Sequence, residues 1–177
     1  VSEIMEKYRF CPYCSGKVET RYVESEGAKR TICSACRKVF YYNSAPCVGA
    51  LIVDRDKILL VKRATPPYKG YWDIPGGFLE AGEHPKDGVI REVLEETGLR
   101  VRPLEILGIF MDKYGAESRD TLNIHYIVEI IGGEAQPGSD AGTLKWFSKN
   151  NLPEKIAFRN GREALRVWQS KNSQCSA

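Results

Sequence analysis

Residues 76–99 read Gly76-Gly77-Phe78-Leu79-Glu80-Ala81-Gly82-Glu83-His84-Pro85-Lys86-Asp87-Gly88-Val89-Ile90-Arg91-Glu92-Val93-Leu94-Glu95-Glu96-Thr97-Gly98-Leu99. Pro85 suits a first helical turn, where its missing N–H costs nothing, and Gly98 suits the left-handed position just past a helix end. The spacing predicts a helix over residues 85–97, with Val89, Ile90, Val93 and Leu94 as its apolar stripe. Glu92, Glu95 and Glu96 then fall at i, i+3 and i+4, so three carboxylates converge on one face. Like charges at that spacing repel, and the C-terminal half of a helix is already partly negative. Something positive should compensate. Arg91 is one candidate and a hard divalent cation the better one, because Mg²⁺ takes oxygen ligands and commonly joins carboxylates to substrate phosphates. A solvated acidic face is the ordinary alternative, but the glycines of the preceding loop demand more than that.

Outward from this stretch the pattern is mostly β. Residues 47–53 and 57–61 are apolar, β-rich runs joined by Asp54-Arg55-Asp56, which predicts a hairpin. Residues 106–110 and 144–147 are further strands. Residues 122–130 alternate, with Leu122, Ile124, Tyr126, Val128 and Ile130 on one face and His125 on the polar side, where it is expected solvated or hydrogen-bonded. Residues 161–169 predict a second helix, with Leu165 and Trp168 at i, i+3 spacing. The segment Ile156–Asn160 either lines a pocket or packs that helix, packing being the default. Strands interspersed with two helices give an α/β class, a mixed sheet packed between helices.

The chain has 177 residues, 26 Lys+Arg and 23 Asp+Glu, a length for one medium domain with a small appendage. No window approaches 18 uninterrupted apolar residues, which excludes a transmembrane helix. The first residues carry no apolar signal core, so a cytoplasmic setting is expected. Residues 1–44 hold eight Lys/Arg against five Asp/Glu, and residues 45–177 hold 18 of each, so the whole excess of +3 sits in the first quarter. Four of six cysteines sit there too: Cys11 and Cys14, then Cys33 and Cys36. A CxxC turn brings two thiolates close enough to share one Zn²⁺, and two such turns close a tetrahedron. Residues 17–24 and 29–32 predict two short strands around a Glu26-Gly27-Ala28 turn, the layout of a zinc ribbon. Two disulfides or a redox pair are the alternative, and reduced cytosolic thiols favour metal. Cys47 is assigned to the core and Cys175 to a polar tail. The expected division is a ribbon over 1–44 and a second domain over 45–177.

The run from Gly77 to Leu99, Gly-x5-Glu-x7-Arg-Glu-Val-x-Glu-Glu-x-Gly-Leu, resembles the Nudix box at every defined position, and Trp72-Asp73-Ile74-Pro75-Gly76-Gly77 resembles its usual lead-in. Gly88 departs from the alanine more usual in that helix. The resemblance implies a Nudix-type mixed sheet between helices, preceded by a small β zinc ribbon. It implies that Glu92, Glu95, Glu96 and the Gly76 carbonyl bind Mg²⁺ or Mn²⁺, while Glu83 and Arg91 pair to brace the loop against the helix. Arg63 occupies a place where the family often has a phosphate-binding arginine. Asp140 lies where a loop acid acting as general base is expected, with Glu134 as its competitor. The implied reaction is attack of water on one phosphorus of a nucleoside diphosphate linked to another group, releasing a nucleoside monophosphate.

A four-cysteine ribbon ahead of such a domain resembles the NADH, FAD and ADP-ribose pyrophosphatases. The NADH-type enzymes carry Ser-Gln-Pro-Trp-Pro-Phe-Pro shortly after the box. Here that region reads Glu105-Ile106-Leu107-Gly108-Ile109-Phe110-Met111-Asp112-Lys113-Tyr114, so FAD or ADP-ribose is favoured over NADH. Tyr114 stands where some ADP-ribose hydrolases place a proline, and Tyr68, Trp72, Phe110 and Tyr114 are candidates to stack on a substrate ring. The alternative is an RNA-end hydrolase or RNA-binding module. In it Lys17, Arg21, Lys29, Arg30, Arg37 and Lys38 hold phosphates beside Tyr13, Tyr22, Phe40, Tyr41 and Tyr42. A homodimer is a further partner expectation.

Overall fold

The computed structural model describes residues 9–116, 118–138 and 141–171, and the chain divides into two compact units between Asn43 and Ser44. In the first unit, β1 (Val18–Val23) and β2 (Ala28–Cys33) pair antiparallel from Val18↔Cys33 to Val23↔Ala28, and β3 (Val39–Phe40) adds to β2. The turn between β1 and β2 is a 3-10 turn over Glu24–Glu26 closed by Gly27 at φ +59°, a left-handed conformation that glycine enters without a Cβ clash. This sheet is too small to bury a core of its own.

In the second unit the apolar run becomes β4 (Ala45–Asp54), followed by β5 (Lys57–Arg63) and the short β6 (Trp72–Asp73) and β7 (Gly76–Phe78). Then come α1 (Pro85–Thr97), β8 (Leu99–Tyr114), β9 (Arg119–Gly133), β10 (Ala141–Ser148) and α2 (Arg159–Lys171). The sheet runs β10-β5-β4-β9-β8, with β6 on β5 and β7 on β4. β4 is parallel to β9 and the other pairings are antiparallel, so the sheet is mixed. On one face Val48, Ala50 and Ile52 pack with Tyr126 and Val128 against Val89 and Val93 of α1. On the other, Leu51 and Leu60 pack with Leu107 against Ala164, Leu165 and Trp168 of α2. Each such buried aliphatic contributes about 1.5–3 kcal/mol, which makes the helix–sheet–helix sandwich the main source of stability. Cys47 is buried in it. Among the described residues no helix is long and apolar enough to cross a membrane.

Two elements differ from the sequence expectation. β8 extends well beyond 106–110 at both ends, and its register against β9 shifts at three places, between Arg100/Val101, Pro103/Glu105 and Ile106/Gly108. The last two leave an extra residue on β8, Leu104 and Leu107, and each moves the alternation to the other face, so no single period of two runs through the strand. Pro103 is tolerated because β8 stands at the end of the sheet order and pairs only with β9.

The second difference is β9, whose supposedly polar side is buried. Thr121, Asn123 and His125 are all buried, and His125 is only 3% exposed. Its Nε2 faces Asn160 Oδ1 at 3.0 Å. The Asn160 amide donates in turn to Asp112 Oδ2 (3.0 Å), which also accepts the Asn160 backbone N–H (2.7 Å) in the first turn of α2. With the amide nitrogen committed to Asp112, the Asn160 oxygen must accept, so the His125 proton belongs on Nε2. Gly49 is the parallel partner of His125, and a Cβ there would come within 2.4 Å of Nδ1.

Burial pulls the His125 pKa from 6.5 down to about 4, against the opposing hydrogen bond with Asn160. A histidine depressed in the folded state binds protons better unfolded. Its stabilising contribution is therefore complete above about pH 6.5 and is lost as pH falls, by about 3 kcal/mol at pH 4. Thermal unfolding measured from pH 7 to pH 4 should show a midpoint that falls further in the wild type than in His125→Gln, which keeps a donor for Asn160 and does not titrate. Equal falls in both would contradict the assignment.

Candidate active site

The local chain chemistry of α1 places three carboxylates. His84 caps it, accepting the Lys86 N–H on Nδ1 (3.2 Å), Pro85 opens it, and Gly98 closes it at φ +70° with its N–H on the Leu94 carbonyl (2.9 Å). With Val89 and Val93 buried under the sheet, Glu92, Glu95 and Glu96 turn toward the preceding loop. Arg91 lies among them. Its Nε and Nη2 donate to the two oxygens of Glu83 (2.8 and 2.9 Å), Nη1 to Glu92 (2.8 Å) and more weakly to Glu95 (3.3 Å), and Nη2 also to the Phe78 carbonyl (3.1 Å). The hydrogen bonds from Arg91 and the Glu80 backbone hold the Glu83 carboxyl down at about 2.

The loop reaches this face because it has no side chains there. The Gly76 N–H donates to Glu96 Oε2 at 2.9 Å. A Cβ on Gly77 would lie 2.5 Å from the Glu92 carboxylate, and one on Gly76 would lie 2.1 Å from the Val48 carbonyl oxygen. Burial, reinforced by Glu92 and Asp73, pushes Glu96 up to about 8 despite the Gly76 N–H. Burial also raises Glu92, against the pull of Arg91. Two carboxylates thus sit in surroundings that resist their charge, with a third, Glu95, beside them at the surface. One guanidinium, already shared with Glu83, does not neutralise them all. Oxygen donors are what a hard divalent cation takes, although Glu92, Glu95 and Glu96 do not gather their oxygens within 4.8 Å of one another as the four cysteines gather their sulfurs.

A cleft opens beside these groups, with about 490 Å³ of empty space that includes the open solvent at its mouth. Gly76, Gly77 and Phe78 form one side, and Arg63, Asp73, Tyr114, His125, Phe158 and Asn160 contribute to the rest. Tyr114 and Phe158 stack at 5.6 Å with 23° between their planes, and Phe78 meets Tyr114 edge-on at 5.1 Å. Arg63 donates from Nε to the Pro67 carbonyl (2.7 Å), pairs through Nη1 with Asp73 (3.3 Å) and lies 4.9 Å from the Phe158 ring centre.

Arg63 and Tyr114 therefore share one cleft, next to the loop that covers Glu92 and Glu96. Trp72 does not line the cleft, and its indole packs edge-on against Phe147 at 4.8 Å. Tyr68 touches the cleft wall from outside through Phe158 (5.2 Å), and Phe110 packs on His125 (5.5 Å). Beyond β9 the stretch 134–138 folds back on the end of α1, with the Gln136 and Gly138 N–H groups on the Thr97 and Glu96 carbonyls. Asp140 and Cys175 lie outside the described residues. The sequence reading left out Asp73 and gave Phe158 and Asn160 packing as their default. Phe158 and Asn160 carry no local signal, while Asp73, in a lead-in already singled out, was the findable one.

In the first unit the four cysteine Sγ atoms lie within 4.8 Å of one another. Cys11–Cys36 and Cys14–Cys33 are 3.7 and 3.5 Å apart, far beyond disulfide length. Sulfurs about 2.3 Å from one ion at tetrahedral corners stand roughly 3.8 Å apart, close to these separations. Backbone N–H groups of Tyr13 and Cys36 point at the Sγ atoms of Cys11 and Cys33 (3.4 Å each), and the Cys36 N–H leads in drawing the Cys33 thiol down to about 6. Both knuckles turn through left-handed residues, Ser15 at φ 58° and Arg37 at φ 62°.

Comparison with known proteins agrees with this geometry. Residues 43–167 match the NUDIX domain family and residues 9–42 match the family described as Nudix N-terminal, a zinc ribbon. The chain is 40% identical over 132 residues to an ADP-ribose pyrophosphatase of Methanocaldococcus jannaschii, a match covering 75% of this chain and 78% of that protein. It is 35% identical over 178 residues to an NAD-capped RNA hydrolase NudC of Klebsiella pneumoniae, covering all of this chain but only 65% of that longer protein. A crystal structure of a NUDIX hydrolase from Nitrosomonas europaea superposes with a TM-score of 0.81 at 28% identity, over 95% of this chain and 94% of that one. Box, sheet topology and cysteine cluster thus lead to one conclusion: the chain belongs to the Nudix hydrolase family and carries that family's N-terminal zinc ribbon.

Proposed function

We propose that this chain hydrolyses the diphosphate bond of ADP-ribose or a close analogue such as FAD, releasing AMP, in a reaction that depends on Mg²⁺ or Mn²⁺. The observation that carries this reading is the adjacency of a charge-deficient carboxylate cluster, at Gly76 and Gly77, to a cleft holding one arginine and a stacked ring pair. A nucleotide diphosphate has the matching parts: a dianionic centre that needs cations and an aromatic base that needs a flat apolar surface. The identity to the Methanocaldococcus enzyme supports ADP-ribose as the first choice. NADH ranks lower because the residues following the box lack the proline- and tryptophan-rich segment of NADH-type enzymes.

Glu92, Glu95, Glu96 and the Gly76 carbonyl would hold the divalent ion, which when bound neutralises phosphate charge and acidifies water. Arg91 keeps Glu92 and Glu95 oriented and ties them to Glu83. Arg63 binds a phosphate oxygen, and the Tyr114–Phe158 pair takes the base. Water attacks one phosphorus in line with the bridging oxygen. A carboxylate accepts the proton, with a box glutamate or Asp140 in that role, and the bridging oxygen leaves with AMP or with its partner phosphate. The four-cysteine cluster would hold one structural Zn²⁺, which suits a reducing cytoplasmic compartment.

A second reading, hydrolysis of a capped or triphosphorylated RNA end, is favoured by the ribbon surface. Tyr13 is 69% exposed with the Lys38 ammonium 3.8 Å from its ring centre, and Tyr22 and Tyr41 are also exposed. Aromatic faces beside cations suit single-stranded nucleic acid.

Glu95→Gln and Glu96→Gln should each lower Mg²⁺-dependent AMP release from ADP-ribose by at least about 100-fold while circular dichroism shows the fold retained. Full activity in both variants would overturn the metal assignment. AMP release from ADP-ribose well ahead of FAD, NADH and a capped RNA would support the first reading, and faster cleavage of the RNA would replace it with the second. Elemental analysis should find about one zinc per chain, lost in Cys14→Ser with unfolding of residues 9–42 and with the Nudix domain still folded.

A further inference from the structure

Asp73 is an unusual group to find in a cleft read as an anion site. It is only 9% exposed and lines the cleft, and burial pushes its carboxyl up to about 7 against the pull of Arg63. A buried carboxylate beside a phosphate site repels the ligand, so its presence calls for a compensating role. Its surroundings supply one. β6 pairs with the end of β5, Val61↔Asp73 and Lys62↔Trp72, and this alternation sends Trp72 to Phe147 and Asp73 to the cleft. Asp73 Oδ1 accepts the Ile74 N–H at 3.0 Å, which fixes the carboxylate plane, and Oδ2 then meets Arg63 Nη1 at 3.3 Å. The Pro67 carbonyl holds Nε at 2.7 Å, and the Phe158 ring lies 4.9 Å from the guanidinium carbon.

We propose that Asp73 is a positioning residue for Arg63: the carboxylate and the Pro67 carbonyl fix two edges of the guanidinium over the Phe158 ring. Among the described residues the hydrogen bonds of Arg63 leave from Nε and Nη1, so Nη2 is the donor presented to a substrate phosphate. An arginine free to rotate would lose much of its conformational entropy at the moment of binding. Here that loss occurs on folding, and the ligand meets a fork already in place. The inference rests on the reading of Arg63 as a phosphate ligand and adds a residue that never touches the substrate.

The test is calorimetric binding of ADP-ribose in EDTA, where no turnover occurs, with KM and kcat measured in Mg²⁺ alongside. Arg63→Ala should weaken binding about tenfold or more, and Asp73→Asn, which preserves size and one acceptor oxygen, should weaken it several-fold by raising KM with kcat nearly unchanged. In the Arg63→Ala background, Asp73→Asn should have no further effect, because Asp73 acts only through Arg63. If Asp73→Asn weakens binding equally in both backgrounds, or tightens it in the wild type, the positioning role is overturned while the phosphate-binding reading of Arg63 stands. If Arg63→Ala alone leaves the affinity unchanged, the phosphate-binding reading itself fails and the role of Asp73 falls with it.

Discussion

Arg91 is the interaction on which the arrangement of the site depends. It stands in the middle of α1 and donates to Glu83 in the loop, to Glu92 and Glu95 on its own helix, and to the Phe78 carbonyl on β7. Without it, Glu83, Glu92 and Glu95 would crowd one surface with no guanidinium between them. Two parallel N–H bonds to Glu83 also set the angle between loop and helix, since a bidentate guanidinium–carboxylate pair is planar and tolerates little rotation. The loop so placed lays its two glycines against Glu92 and Glu96. The carboxylates are thereby held together by one singly charged residue, which satisfies them only in part. Burial raises the pKa of Glu92 and Glu96, and neighbouring carboxylates add to it.

The opposite side of the cleft is organised by a different device. Asp112 accepts the first-turn N–H of α2 and the Asn160 amide, and Asn160 accepts from His125, so α2 is tied by polar groups to the floor of the sheet. Phe158 directly precedes that helix, and its ring contacts Tyr114 and Arg63. The position of the ring pair therefore depends on a buried hydrogen-bond chain beneath it. Such chains are sensitive to the loss of any member, because each partner left unpaired in the interior costs about 1–3 kcal/mol. Gly49 belongs to the same device, since only a residue without a Cβ leaves room for the His125 ring.

Local chemistry was enough for the parts built from local periodicity and capping. Helix α1 could be read from Pro85, Gly98 and the apolar spacing between them, although Leu94, counted in the apolar stripe, is 48% exposed because only the Val89 and Val93 side of the helix meets the sheet. The cysteine cluster was readable because a CxxC knuckle is closed by its own backbone, with Ser15 and Arg37 turning the chain just after each motif. The hairpin joining β4 and β5 was legible for the same reason, its turn residues lying between two unbroken apolar runs. Strand β8 was only partly legible, because extra residues at Leu104 and Leu107 break the alternation along it.

What the sequence by itself determined, then, is the set of groups that act within one turn or one knuckle of each other: the carboxylates of α1 and the four thiols. Tertiary structure decided everything that joins distant segments. It buried the second face of β9 under α2, which turned His125 from a surface candidate into part of the floor. It brought Phe158 and Asp73 to Arg63, across 95 and 10 residues of chain respectively. It also left Trp72 outside the cleft, because alternation along a two-residue strand allows only one of its side chains to face inward. Contacts of this kind have no period and no fixed spacing. They follow from which helix covers which face of the sheet, a choice made by the summed burial of many apolar residues rather than by the residues of the site.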